Sequence, residues 1–240
     1  MRPRLHSLVS LIVLLTLIVV PARADQKQER KVRSARWVAE ELFDHTDRRL
    51  PQALLEQTRC LAVFPDVPRA AFGLGGSHGS GVVSCRDQEG DWSAPVFMTV
   101  SGGSIGLQIG YQTSDLLLFF VNDKAAKTLL DAQMSLGADL RVAAGSFDKA
   151  TGVTANKKLN ADVYIYVRSR GLFVGASLEG SKLGISPKAN RKYYGYHLWP
   201  EGILFHKTVP EYPPESREFI AALEGIPMNF DIEESATPQE

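Results

Sequence analysis

Between Cys60 and Gly195 the chain alternates short apolar runs with glycine, proline or asparagine, and few of these runs are long enough to make a helix. That pattern predicts antiparallel strands joined by turns. The expected strands are Cys60 to Phe64, Ala70 to Leu74, Gly81 to Arg86, Val96 to Val100, Ser104 to Gln112, Asp115 to Val121, Leu140 to Ala144, Ala161 to Arg168 and Leu172 to Leu178. So many short strands read as an α+β fold, mainly an antiparallel β sandwich or partly closed barrel with flanking helices. One helix interrupts the strands, with Asn122 as its N-cap and Ala125, Ala126, Leu129, Leu130 and Met134 on its apolar face. A last helix runs from about Pro214 to Leu223 and stops at Gly225 and Pro227.

Ahead of the strands, Val32, Ala35, Ala39, Leu42, Phe43 and Thr46 recur at helical spacing and predict an amphipathic helix over 25–47. A short helix follows at Pro51 to Gln57, with Pro51 in its first turn. Before all of these, Arg2 and Arg4 precede an apolar stretch from Leu8 to Val20 that ends at Ala22, Arg23 and Ala24. The stretch is shorter than the roughly 20 residues of a spanning helix, and the small residues after it suit a signal peptidase. The expectation is a cleaved leader over 1–24 and an exported protein, periplasmic or extracellular, peripheral on a membrane if attached at all. The main domain is then 48–230, followed by an acidic tail over 231–240 that reads as disordered.

The whole chain carries 27 basic and 27 acidic residues; losing Arg2, Arg4 and Arg23 with the leader turns a formal charge of zero into −3. General affinity for polyanions, nucleic acid included, is therefore not expected from composition. An oxidising compartment would allow one disulfide between Cys60 and Cys85, the alternative being two buried thiols. His45, His78, His197 and His206 show no metal-ligand spacing with each other or with cysteine, and no cofactor is expected.

Three enzyme patterns are tested against the stretch from Gly73 to Gly81. A dinucleotide fingerprint fails because the sixth position counted from Gly73 is His78, and a phosphate loop fails because Val82 follows Gly81 where lysine is needed. Gly75, Gly76, Ser77, His78 and Gly79 do satisfy the Gly-x-Ser-x-Gly pattern, which leaves a serine hydrolase using Ser77 as an alternative. An elbow must pass from strand to helix, whereas Ser80 to Arg86 reads as a strand.

Five motifs in one order resemble the SYLF domain family: Gly75 to Gly81; Trp92 to Pro95; Gly102 to Gly110 leading to Thr113, Ser114 and Asp115; Tyr166 to Gly180; and Asn190 leading to Tyr193, Tyr194 and Gly195. Cys60 and Cys85 also resemble the cysteine pair of bacterial members. The resemblance implies non-catalytic binding of anionic phospholipid, phosphoinositide-like in the wider family. The eukaryotic relatives join such membranes to actin, a partner not expected for an exported chain, and any protein partner is unknown. A structural or protein-interaction module of the cell envelope is the other alternative.

Two basic stretches are candidate head-group sites. Lys27, Arg30, Lys31, Arg33 and Arg36 crowd the start of the first helix, ahead of Glu40, Glu41 and Asp44, an order that opposes the helix dipole. Trp37 projects from the same polar side as Arg30 and Arg33, where an indole could sit at head-group level. The bland reading is a solvated face with pairs such as Arg36 with Glu40. The second stretch comprises Arg168, Arg170, Lys182, Lys188, Arg191 and Lys192, with Tyr193 and Tyr194 beside it; its bland reading is a solvated hairpin rim.

Overall fold

Val32, Ala35, Val38, Ala39 and Leu42 fall at helical intervals, and in the computed structural model they form the buried stripe of α1, Gln26–Asp44. The structure describes residues 25–44, 50–146, 160–173 and 180–225. The leader and the acidic tail expected from sequence lie outside those residues. A second helix, α2 (Gln52–Gln57), starts directly after Pro51 and buries Leu54.

The sheet is dominated by two long strands. β1 (Cys60–Cys85) and β2 (Val96–Phe120) pair antiparallel from Cys60 opposite Phe120 to Val83 opposite Val96. Each absorbs three of the short strands expected from sequence. The reason lies in what the glycines face: Gly76 stands opposite Gly103 and Ser77 opposite Gly102, so the two glycine stretches share one piece of ladder. With only glycine and serine at these paired positions, the ribbon can bend sharply while keeping its hydrogen bonds.

The bend returns β1 onto itself. The Arg86 N–H donates to the Arg59 carbonyl at 2.7 Å, and Cys60 and Cys85 form a disulfide with their Cα atoms 4.0 Å apart. Gly81 is required at the crossing, because a Cβ there would lie 2.2 Å from the Val63 carbonyl oxygen. The result is the α+β, partly closed barrel anticipated from the strand pattern.

The other edge of β2 is shared by two strands. β5 (Val163–Phe173) pairs with Gly110 to Phe120, and β6 (Lys182–Ile185) pairs with Met98 to Ser101. A two-residue β3 (Met134–Ser135) joins β6, and β4 (Val142–Ser146) runs parallel to β5, giving the order β3-β6-β2-β5-β4. Asn122 caps α3 (Asp123–Thr128) as predicted, its Oδ1 accepting from the Ala125 N–H at 2.8 Å. That helix is shorter than its apolar spacing suggested, because Met134 enters the sheet.

Three helices follow: α4 (Pro187–Tyr194), α5 (Pro200–Phe205) and α6 (Pro214–Glu224). α6 matches its prediction, whereas α4 and α5 were not anticipated. α4 replaces the hairpin rim offered as the bland reading of Lys188 to Lys192, and Gly195 ends it in the left-handed conformation at φ 80°. Asn190 Oδ1 accepts from the Phe97 N–H at 2.8 Å, Tyr194 donates to the Pro95 carbonyl at 2.6 Å, and the Tyr193 hydroxyl meets Ser216 Oγ at 2.8 Å. Trp92 Nε1 donates to the Leu223 carbonyl at 3.0 Å. The motifs around Trp92 and Asn190 thus bolt α4 and α6 to the sheet. Among the described residues no helix is long and apolar enough to cross a membrane.

Candidate functional site

A bulge in β1 prepares the site. Pro65 and Asp66 fall between the paired positions Phe64 and Val67, and Pro65 has no N–H to lose from the ladder. Asp66 adopts φ 52°, rare for a residue with a side chain, and its N–H donates to Asp115 Oδ1 at 2.8 Å. Asp115 on β2 stands opposite Arg168 on β5. Its Oδ2 accepts from Arg168 Nε at 2.9 Å and Nη2 at 2.6 Å, and from Arg170 Nη2 at 2.7 Å. Two sequence motifs, Thr113 to Asp115 and the one beginning at Tyr166, therefore meet in one ion network.

Helix α1 closes this network from above. Arg168 also pairs with Glu41, and the Trp37 ring lies 4.9 Å from the Arg168 guanidinium carbon and 5.9 Å from that of Arg170. Burial pushes the Asp115 carboxyl up, but the hydrogen bonds from Asp66, Arg168 and Arg170 outweigh it and hold the group below its ordinary range. For Arg168, burial is likewise outweighed, here by Glu41 and Asp115, and the group is raised. Lys31 is lowered, chiefly by burial, with Asp66 and Asp115 opposing. Beside the network is a cavity of 260 Å³ lined by Arg33, Ser34, Trp37, Pro65, Asp66 and Arg170, among others.

The basic residues singled out in the sequence divide into paired and accessible groups. Arg33 meets Glu215 of α6 at 3.0 Å, and Arg36 meets Glu218 of α6 at 2.5 Å and Glu40 at 3.5 Å. These two partners account for much of the charge order that opposes the α1 dipole. Trp37 is half exposed yet stacked on arginine. Arg168 is buried, Lys31 is half-buried, and Lys192 pairs with Asp25 at 2.7 Å. Lys27, Arg30, Lys182, Lys188 and Arg191 are exposed.

The fold also brings the two basic stretches into contact. The Asp25 N–H donates to the Lys192 carbonyl at 3.3 Å, and Asp25 Oδ1 accepts from the Lys27 N–H at 3.0 Å. The N-terminal turn of α1 therefore rests on the C-terminal turn of α4. Sequence reasoning missed Asp66, Glu41 and Asp115 as members of a site. The Thr113 to Asp115 motif was the one available signal, and the other two depend on a bulge and on helix docking.

Ser77 sits within β1, opposite Gly102, and His78 beside it is exposed. The strand continues through both, so the strand-to-helix turn of a nucleophile elbow is not formed at Ser77. Among the described residues no cluster of histidine, cysteine and carboxylates could hold a metal ion.

A family profile described as "Ysc84: Las17-binding protein actin regulator" matches residues 101–226. SH3 domain-containing YSC84-like protein 1 of Xenopus laevis is 32% identical over 192 residues, covering 79% of this chain and 56% of the relative. Protein YSC84 of Saccharomyces cerevisiae is 29% identical over 187 residues, 77% of this chain and 39% of the relative. LAS seventeen-binding protein 3 of the same yeast is 28% identical over 211 residues, 87% of this chain and 45% of the relative. The chain thus spans about half the length of the curated relatives it matches. Since the profile runs from β2 through Asp115, Arg168, Arg170 and α4 to the end of α6, the chain belongs to the Ysc84, or SYLF, family.

Proposed function

We propose that this protein binds anionic phospholipid at a membrane surface, without catalysis, through the joined ends of α1 and α4. The observation that carries the reading is the Asp25 to Lys192 junction, which gathers the exposed Lys27, Arg30, Lys188 and Arg191 from two distant parts of the chain. A basic residue near an anionic surface contributes about 1 kcal/mol, so four together suffice for reversible, salt-sensitive attachment. The leader expected over residues 1–24 would deliver the protein to the cell envelope, where such lipids are present.

Arg33, Arg36, Arg168 and Lys192 support this surface as structural residues, since each is held by a carboxylate. The relatives' names refer to Las17 and to an SH3 domain, which favours a protein partner as the competing reading.

The test is co-sedimentation of the protein with vesicles of phosphatidylcholine alone and of phosphatidylcholine with phosphatidylglycerol, over a salt series. Binding to the anionic vesicles alone, weakening as salt rises, is expected. The quadruple variant Lys27→Glu, Arg30→Glu, Lys188→Glu, Arg191→Glu should lose that binding while keeping its thermal midpoint. Equal binding by the variant removes this surface from the account. Absence of vesicle binding by the unaltered protein overturns the lipid reading and turns attention to a protein partner.

A further inference from the structure

The Asp115 face of the sheet does not end under α1. Because side chains alternate along a strand, Tyr111, Thr113 and Asp115 of β2 share that face with Arg168 and Arg170 of β5. Across the ladder on β1, Ala70 opposes Tyr111, and Phe72, two residues on, points the same way. Trp37 covers the arginine end of this row. Further out, Tyr111 is 63% exposed and Phe72 is 84% exposed, the most exposed large apolar side chain among the described residues. The Thr113 hydroxyl donates to the Tyr111 hydroxyl at 3.4 Å, which steadies the phenol at the edge of the patch.

The row is continuous with the basic surface at the start of α1. Lys27, Arg30, Ser34 and Trp37 fall along one stripe of the helix, about 15 Å long at 1.5 Å per residue. Exposed cations, an indole, a phenol and a phenyl ring on joined surfaces are the side chains of a membrane interface, where charges meet the phosphates, tryptophan and tyrosine sit at the head-group boundary and phenylalanine reaches the acyl chains. Arg170, held by Asp115 and beside Trp37, joins the two portions, and the exposed Lys27 and Arg30 on the Trp37 stripe supply the charge complementary to an anionic bilayer.

We infer that Phe72 and Tyr111 form an apolar anchor that enters an anionic phospholipid bilayer, the basic end of α1 lying against the phosphates. The inference rests on the lipid-binding reading and adds to it a second, salt-resistant component. Electrostatic attachment alone fades with salt, whereas apolar insertion does not.

The experiment compares the full chain with the Phe72→Ser, Tyr111→Ser double variant on phosphatidylcholine and phosphatidylglycerol vesicles, at low and at high salt. Both side chains are exposed, so the variant should keep the parent's thermal midpoint. The expected result is affinity reduced roughly tenfold or more at high salt, with the salt dependence retained. Phe72→Trp should bind like the parent, and its added indole emission should be quenched by lipid brominated in the acyl chains. Unchanged affinity of the double variant, with the parent still binding, overturns the anchor and leaves the electrostatic reading standing. Failure of the parent to bind any vesicle overturns both. Concentration-dependent self-association that the double variant abolishes, with vesicle binding unaltered, would assign the patch to a second copy of the chain and overturn the anchor.

Discussion

Asp115 and Arg168 face each other across the β2–β5 ladder, 53 residues apart in sequence, and Arg168 holds the buried carboxylate with two nitrogens at 2.9 and 2.6 Å. Removing one partner of a buried pair strands the other charge, which costs about 3–5 kcal/mol. Arg168→Ala should lower unfolding free energy by that amount in urea titration. Arg170→Ala, whose side chain is 53% exposed, should cost no more than about 1 kcal/mol. Equal losses for the two would show that the network is not organised around Arg168.

The same carboxylate makes a prediction about acid. Its folded value lies below the ordinary 3.8, so it binds fewer protons folded than unfolded. The stability it contributes is fully present above the unfolded value and is lost as pH falls through the lower folded one. Asp115→Asn should therefore differ from the parent most at neutral pH, and the gap should narrow below about pH 4. Urea midpoints measured across pH give the comparison; a gap that widens in acid would contradict it.

Cys60 and Cys85 fasten the two ends of a single strand, with a sequence separation of 25. Closing a loop of that size restricts the unfolded chain by roughly 3–4 kcal/mol. The Cys60→Ser, Cys85→Ser double variant should lose about that much stability and should match the parent studied under reductant. A loss below about 1 kcal/mol would mean that the Arg59 to Arg86 hydrogen bond and core packing already fix the closure.

Glycines 81 and 76 should respond oppositely to alanine. At Gly81 the new methyl group would collide with the Val63 carbonyl and lie 2.8 Å from the Phe64 Cα, so Gly81→Ala should cost about 3 kcal/mol or prevent folding. At Gly76 nothing lies within 4 Å, and Gly76→Ala should be neutral or stabilise by roughly 0.4–1 kcal/mol through the unfolded state. Thermal midpoints of the two variants decide the matter.

Local chemistry was legible wherever it closes within a few residues. The apolar stripe of α1 as far as Leu42, the Asn122 cap and α6 are short-range features, and they formed where the sequence placed them. α4 was missed because Pro187 and the run of polar residues after it resemble a turn; its buried face, Asn190, Tyr193 and Tyr194, needs β2 and α6 as partners to make sense.

The sequence by itself determined that this chain would be a glycine-rich, mostly antiparallel α+β domain, because side-chain alternation, capping and helical spacing act between neighbours. Only the tertiary structure decided that the glycines curve two long strands rather than end many short ones. It likewise assigned Arg33 and Arg36 to Glu215 and Glu218, 182 residues away in each case, and it set Trp37, Arg168 and Asp115 into one network. The physical reason is common to all three: whether a glycine is a turn or a bend, and whether an arginine is a ligand site or a strut, depends on what faces it across space.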